Sequence, residues 1–529
     1  MTSRAVTIGG RSYPLILPNL RDPRLHVAAV IISIHVLGQV ALGFQVTVPQ
    51  IVAAILTCAV IEVALAFRQS GAFVWPASAM LTGSGVALIL RAVGTRAGDP
   101  WGTNDVALFA IVAGLSLLTK YVIRFRGSHI FNPSNIGLVV AFLVLGSSRV
   151  EPLDFWWAPL GIPMVAAYAI ITVGGLLITA RLRLLALAAT YWITLTIGVG
   201  ILAGSGHCMT ARWAFAPVCG FDFWRVIVTS PEVLIFLFFM ITDPKTVPAG
   251  RVARVVFALL VGVLSVLLMA PQTTEFGAKV GLLSSLALMS VVRPLIERFL
   301  PDAGSDADNV EGFARGLVTG GARAGAARGG ARVAVGGVAV LVVGFGIAAA
   351  GTPARGIVPT DTTELLDRVP HEIDPGTFPT VTVASDVRDW DQDLAGPGAQ
   401  QVVLTLAENL ELERQALLRK DEAILSAVDH GDRLAEMQKR LRDAVSSGRT
   451  MVAHYDFDDL NVILLQPFGV QTGLSLGFEA RGTMTEEVYD AGGTLQAQTE
   501  SPFELTFVMR RATGARWLNV AVMPEGTGG

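Results

Sequence analysis

The sequence predicts an all-α polytopic membrane domain of about ten helices in two inverted five-helix repeats, then one further transmembrane helix and an α+β extracytoplasmic domain. Three observations carry that reading. Of 529 residues, 52% are hydrophobic and only 16% charged, and the mean hydropathy is +0.56, a composition no ordinary soluble core has. A series of long apolar runs fills the chain up to about residue 351. Charge divides at the same point: residues 1–354 hold 25 Lys and Arg against 15 Asp and Glu, whereas residues 355–529 hold 15 against 28.

In chain order, residues 1–25 are polar and read as a cytoplasmic segment. They lack the pattern of a secretory signal, so the first helix is expected to stay in place. Spans follow at 26–44, 49–67, 80–93, 105–123, 133–147, 158–178, 182–203, 230–243, 251–269, 277–299 and 331–351. The runs at 80–93 and 230–243 are too short for a ~30 Å hydrocarbon core at 1.5 Å per residue. Short, Gly- or Pro-interrupted runs are the mark of discontinuous helices lining a midplane site. These two stand third and eighth, at matching places in two halves of five, and an odd number of helices per half inverts one half against the other.

Charge sets the orientation. With the amino terminus inside, nineteen Lys and Arg fall in inside segments, among them Arg68, Lys120, Arg124, Lys245 and Arg293, and six fall outside: Arg91, Arg96, Arg149, Arg212, Arg225 and Lys279. That bias predicts a multi-pass protein of a bacterial inner membrane with a cytoplasmic amino terminus and an extracytoplasmic C-terminal domain. The 204–229 loop then lies outside and carries His207, Cys208 and Cys219. Two thiols in an oxidising compartment read as a disulfide, the alternative being a redox or metal site with His207. Cys58, inside the second span, reads as packing, and no metal site is assigned.

Residues 301–330, rich in Gly, Ala and Asp, read as a flexible cytoplasmic linker. The span at 331–351 leads to a domain over 355–529. Helical spacing covers Gln400 to Val445, and alternating runs follow: MVAHYDF, NVILLQPF, LSLGFEARGTM, PFELTFVMRR and RWLNVAVM. Helices followed by antiparallel strands give α+β, in outline similar to nuclear-transport-factor-two-like or cystatin-like folds. The acidic run Asp386, Asp389, Asp391 and Asp393 lacks the Gly and terminal Glu of a calcium loop and reads as a solvated face.

Three polar stretches interrupt the apolar pattern: Leu81 to Leu90, Gly127 to Asn135 and Phe238 to Arg251. Asn132 followed by Pro133 is a helix start on local physics alone. His129, Ser134 and Asn135 add hydrogen-bonding groups beside a helix N-terminus, which favours an anion or a ligand's polar edge. Thr242, Asp243 and Lys245 read either as a helix stop or, with Thr82, Gly83 and Ser84, as a polar cytoplasmic site. Within the spans, His35 and Glu62 are ionisable groups at membrane depth, placed where antiparallel packing lets them pair. They read either as a proton or ion pathway, or as a neutral His bonded to a carbonyl and a Glu reaching the interface.

The motifs Gly127-Ser128-His129-Ile130-Phe131-Asn132-Pro133 and Phe239-Met240-Ile241-Thr242-Asp243-Pro244, with the Thr-Gly-containing stretch at 81–85 before them, resemble the membrane subunit family that includes the D subunit of the Rnf complex and the B subunit of the sodium-pumping Nqr complex. The likeness covers about residues 20–300. The run Glu151-Pro152-Leu153-Asp154-Phe155-Trp156-Trp157 looks like the branch of that family associated with enediyne biosynthesis. The resemblance implies an inverted repeat, an electron-transport role and a flavin, with the lipid bilayer and other redox-complex subunits, but no nucleic acid, as partners. It makes Thr82, Ser84, His129, Asn132, Asn135, Thr242, Asp243 and Lys245 the cofactor-binding candidates.

One departure bears on the cofactor. The family's covalent flavin attaches to Thr of a Ser-Gly-Ala-Thr motif after the fifth span; here the region reads Ser147-Ser148-Arg149-Val150, and Ser-Gly-Ala-Thr occurs nowhere. FMN or riboflavin is therefore expected to bind non-covalently or to be lost, covalent FMN is not expected, and no Cys cluster suits an iron–sulfur centre. The alternative functions are a small-molecule transporter or channel on the same scaffold, or a membrane anchor for the external domain. No catalytic residue is assigned.

Overall fold

The computed structural model describes residues 2–8, 10–95, 99–125, 127–147, 149–153, 161–211, 214, 217–319, 338, 341–355, 366, 369, 373–374, 378–394, 397–465, 475–511 and 516–524. Two compact units result, one of residues 1–210 with 218–357, the other of 211–217 with 358–529.

The first unit opens with an antiparallel hairpin where the sequence suggested only a polar lead. Strands β1 (Thr2–Ile8) and β2 (Arg11–Leu17) pair, and β3 (Phe73–Val74) joins β2 in parallel. Gly10 turns the hairpin at φ 79°. Tyr13 packs its ring 5.4 Å from Phe67 and 6.0 Å from Phe73, so aromatic contacts tie the hairpin to the helix end beside it.

Helices α1 (Pro23–Ala41), α2 (Val48–Ser70), α3 (Ala77–Ile89), α4 (Val106–Val122) and α5 (Pro133–Leu145) follow. After them come α6 (Ile162–Arg181), α7 (Leu185–Gly204), α8 (Gly220–Thr229), α9 (Pro231–Ile235), α10 (Arg251–Met269) and α11 (Glu275–Phe299). Among the described residues, seven stretches, α8 and α9 counting as one over Gly220–Met240, are long and apolar enough to cross a membrane. The chain is thus a multi-pass membrane protein with a strand-rich C-terminal domain.

Local chemistry explains the ends. Asp22 accepts from the Arg24 N–H and caps α1; Thr47 and Gln50 form a reciprocal capping box on α2, and Gly71 closes that helix in the left-handed region. Two boundaries differ from the sequence reading. Helix α5, read as a full span over 133–147, is 13 residues long and stops at Gly146 with φ 71°, so it is as short as α3. The span read at 230–243 is the second part of a longer rod: Pro231, lacking an N–H, interrupts the helix after α8, and Phe236–Met240 then widens into a π-helical turn.

The linker reading also needs correction. Asp308 accepts from the backbone N–H of Val252 at 2.9 Å and caps α10, and α12 (Val310–Thr319) follows it. Burial opposes the Asp308 carboxylate, but the N–H groups of Arg251, Val252 and Gly304 outweigh it and hold its carboxyl below the usual range. Residues 320–330 of the linker and most of the start of the 331–351 span lie outside the described residues; the rest of that span forms α13 (Leu341–Ala350).

Strands β4 (Leu90–Ala92) and β7 (Val150–Pro152) pair beyond the ends of α3 and α5. The two-residue strands β5 (Arg124–Phe125) and β6 (Ser128–His129) close the α4–α5 turn around Gly127. Strands β8 (Cys208–Met209) and β9 (Val218–Cys219) set Cys208 opposite Cys219, and a disulfide joins the two. His207 beside them is fully buried with its ring 4.5 Å from that of Phe223, and burial alone depresses the imidazole to about 4.

The second unit is α+β. A strand β10 (Val381–Val383), helices α14 (Ser385–Trp390), α15 (Pro397–Arg419), α16 (Glu422–Val428) and α17 (Gly431–Ser447), and strands β11 (Thr450–Leu465), β12 (Ser475–Tyr489), β13 (Leu495–Arg511) and β14 (Trp517–Pro524) occur in that order. The sheet runs β10-β11-β12-β13-β14, parallel only at its first pair. MVAHYDF and the first five residues of NVILLQPF prove to be one strand, β11, whose register shifts by a bulge between Phe457 and Asp459, while 466–468 lie outside the described residues. Leu406 and Leu410 of α15 pack with Phe478, Phe507 and Trp517 of the sheet.

Candidate functional site

The three polar stretches of the first unit meet. Asn132 caps α5: its Oδ1 accepts from the Asn135 N–H at 3.3 Å and from Ser134 Oγ at 2.9 Å, and its Nδ2 donates to the Met240 carbonyl at 3.3 Å. That last carbonyl lies at the end of the helical rod, where no i+4 donor follows, and it also takes the Asp243 N–H at 3.5 Å. Asn135 Nδ2 reaches across to the Leu283 carbonyl of α11 at 3.1 Å. Gly85 of α3 sits so near Ser134 that a Cβ on it would lie 3.3 Å from the hydroxyl oxygen. Helices α3, α5, α9 and α11 thus converge on the start of α5.

Each buried member has a protein partner. Thr82 Oγ1 donates to the Ser78 carbonyl at 3.2 Å, and Thr242 Oγ1 to the Phe238 carbonyl. Asp243 Oδ1 accepts from the Lys245 N–H at 3.0 Å, and its Oδ2 lies 3.6 Å from His129 Nε2. The Lys245 carbonyl accepts from Arg293 at 2.8 Å. His129 is buried, Asp243 half-buried and Lys245 exposed, so Asp243 and Lys245 form the accessible edge of the cluster.

The glycines tighten rather than open the centre. A Cβ at Gly83 would lie 2.4 Å from the Ala54 carbonyl oxygen, and one at Gly137 would overlap Ser116. A flavin held by the buried members would have to displace the bonds from Asn132 to Met240 and from Asn135 to Leu283. These residues therefore do not fit a flavin seated among them.

His35 and Glu62, which the sequence allowed to pair, have separate partners. His35 Nε2 lies 3.2 Å from Ser84 Oγ and 3.3 Å from the Ser84 carbonyl. Glu62 takes Lys120 at 2.9 Å and the Tyr121 hydroxyl at 2.9 Å, and the same ammonium reaches Ser78 Oγ at 3.2 Å. The reason is position: α3 packs against both α1 and α2 and presents Ser84 to α1, while α4 presents Lys120 to α2.

Sequence reading missed a second set of charges at the opposite ends of these helices. Lys279 is 4% exposed and lies 2.7 Å from Glu275 and 3.4 Å from Glu232. Arg91, 2% exposed, pairs with Glu151 at 2.8 Å. The charge pattern sets Lys279 among the outside charges, whereas it lies within α11. The signal that could have found it is its place four residues after Glu275, within a helix whose following residues are apolar. Among the described residues, no three of His, Cys, Asp or Glu are grouped to hold a metal.

No family model and no curated protein matches the chain. What fold and site define is a class: a polytopic membrane protein in which short helices end in an interlocked polar cluster.

Proposed function

We propose that the chain is a membrane subunit of the electron-transport type, resembling the Rnf D and Nqr B subunits, whose own part is charge movement across the bilayer while partner subunits supply the redox chemistry. The observation that carries this reading is the distribution of buried ionisable groups. Glu62, Lys120 and Ser78 sit at one end of the short helix α3, Arg91 and Glu151 at the other, and His35 touches Ser84 midway. Ionisable groups at such depth are costly and mark ion or proton pathways.

An inverted repeat would favour this reading. Ser134-Asn135-Ile136-Gly137-Leu138 of α5 aligns with Ala278-Lys279-Val280-Gly281-Leu282 of α11. The two helices cross antiparallel: Asn135 meets Leu283, and seven residues along, the Phe142 ring lies 6.0 Å from Phe276, seven residues back. Gly114 of α4 faces Thr57 of α2 as Gly262 of α10 faces Thr194 of α7. Such pairs are what a twofold axis in the membrane plane would produce. The excess of Lys and Arg at the motif end supports a reading in which that end and the amino terminus face the cytoplasm of a bacterial cell.

The test is proton flux into vesicles holding the purified chain and a trapped pH dye, driven by a potassium diffusion potential. Flux that falls on the order of tenfold in Glu62→Gln and His35→Asn is expected; wild-type vesicles as tight as empty ones would reject the proposal. A second reading, a non-covalent flavin carrier, is favoured by the accessible edge at Asp243 and Lys245. Its mark is a visible spectrum that bleaches with dithionite and a chromophore released by acid. An enediyne intermediate as the moving species is tested by adding the chain's genetic neighbours' product to the same vesicles.

A further inference from the structure

In the C-terminal unit, Asp429 ends α16, where its N–H bonds to the Leu425 carbonyl at 2.9 Å. Its side chain is 1% exposed, and neither carboxyl oxygen accepts a hydrogen bond among the described residues. The carboxyl that faces it is Glu413 of α15, 3% exposed. Glu413 is already supplied with donors: Arg433 of α17 approaches it through both Nε, at 3.0 Å, and Nη2, and Asn519 Nδ2 of β14 donates at 2.8 Å. Arg433 is 4% exposed and turns its remaining nitrogen to Glu436 at 3.1 Å.

The same place holds the elements together. Asp429 and Asn519 form a backbone bridge, the His430 N–H bonds to the Asn519 carbonyl at 2.8 Å, and Asn409 Nδ2 donates to the Trp517 carbonyl at 3.0 Å and to Asn519 Oδ1 at 3.3 Å. Arg516 closes the set on Asn409 Oδ1 at 2.7 Å. Three helices and the last strand thus meet at two buried carboxyls and one buried guanidinium.

We propose that Asp429 and Glu413 share a single proton, and that this proton latches α15, α16, α17 and β14 together and is released in alkali. Two ionised carboxylates in contact repel, and burial raises the cost of each charge. Arg433 and Asn519 already point donors at Glu413, whereas no donor among the described residues reaches Asp429, so the proton belongs on Asp429, which then donates to Glu413. Raising the pH sends that proton to solvent and leaves two carboxylates facing one guanidinium.

The charged and titratable groups that act on Asp429 besides Glu413 are Arg433 and Glu436; His430 follows it in the chain, Arg440 bonds Glu436 at 2.8 Å, Arg516 bonds Asn409 at 2.7 Å, and Tyr455 of β11 feels the same Arg433 and Glu413 charges. Burial first, then Glu413, push the Asp429 carboxyl well above its ordinary value. An acid whose folded value is raised gives its full stabilisation below its unfolded value, about 3.9, and loses it as pH climbs to the folded value. Glu436 works in the opposite sense: burial raises its carboxyl, but Arg433 and Arg440 outweigh that and lower it, so its contribution disappears only in acid.

Hydrogen exchange followed by mass spectrometry on the full chain in detergent, from about pH 5 to about pH 9 and corrected for intrinsic rates, tests the latch. In peptides spanning 422–436 and 516–524, the opening constant should rise by up to about tenfold per pH unit. Asp429→Asn, which donates to Glu413 without titrating, should flatten that rise. A flat wild-type profile, or an unchanged slope in Asp429→Asn, overturns the proposal. Should the Asn variant not fold, Asp429→Ala removes the same proton and carries the same expectation.

Discussion

The side-chain amide of Asn132 serves three partners at once: its oxygen caps α5 and takes the Ser134 hydroxyl, and its nitrogen reaches the Met240 carbonyl. Asn132→Ala should lower stability by about 1–2 kcal/mol, since both a cap and a buried bond go. Asn132→Ser keeps a capping oxygen and loses only the donor to Met240, and should recover about half of that; thermal unfolding in one detergent compares the two. Lys120→Met would leave Glu62 with the Tyr121 hydroxyl alone and should cost on the order of 3 kcal/mol. The double variant Lys120→Met with Glu62→Gln should recover most of it, and a double variant no better than the single would dismiss the pair. The cap was legible in the sequence because Asn-Pro is a local signal. The partners of His35 and Glu62 were not, because residue depth follows from rise along a helix, whereas partner choice follows from rotation about it.

At the scale of elements, the close contact of α2 and α3 depends on Gly83, where an added Cβ falls 2.4 Å from the Ala54 carbonyl oxygen. Both atoms that clash are fixed to helical backbone, so Gly83→Ala should force the helices apart and cost about 1–3 kcal/mol; loss of the monodisperse peak in size-exclusion chromatography is the simpler readout. The β8–β9 hairpin is closed by Cys208 and Cys219, 11 residues apart. Cys208→Ser should lower stability by about 2–3 kcal/mol, and reductant should do the same to wild type but nothing further to the variant. Spacing and compartment made the disulfide legible. The break between α8 and α9 and the π-helical turn were not, because hydropathy counts apolar residues and is blind to which carbonyl each N–H finds.

For the whole molecule, composition and the shift in charge near residue 355 are enough to separate a membrane unit from a strand-rich one, since each depends on sums over many residues. The structure divides the chain close to that point, at Ile357 and Val358, residues 211–217 apart, which cluster with the second unit. A chain ending at residue 357 should therefore extract and purify as a folded species with its thermal midpoint within a few degrees of the full chain's; aggregation of the shortened chain would contradict the division. How the strands join was less legible: a bulge lets two runs act as a single strand, β11, and no period-2 pattern survives a bulge. The π-helical turn at Phe236–Met240 has a last consequence, best put as phase. A helix advances about 100° with every residue, and a widened turn takes up one surplus residue so that what lies beyond it keeps its bearing. Deleting one residue there should close the turn to α-helical spacing with Thr242 and Asp243 still toward Asn132, whereas the same deletion in the regular part of the rod would swing them away, a detuning that no hydropathy profile would register.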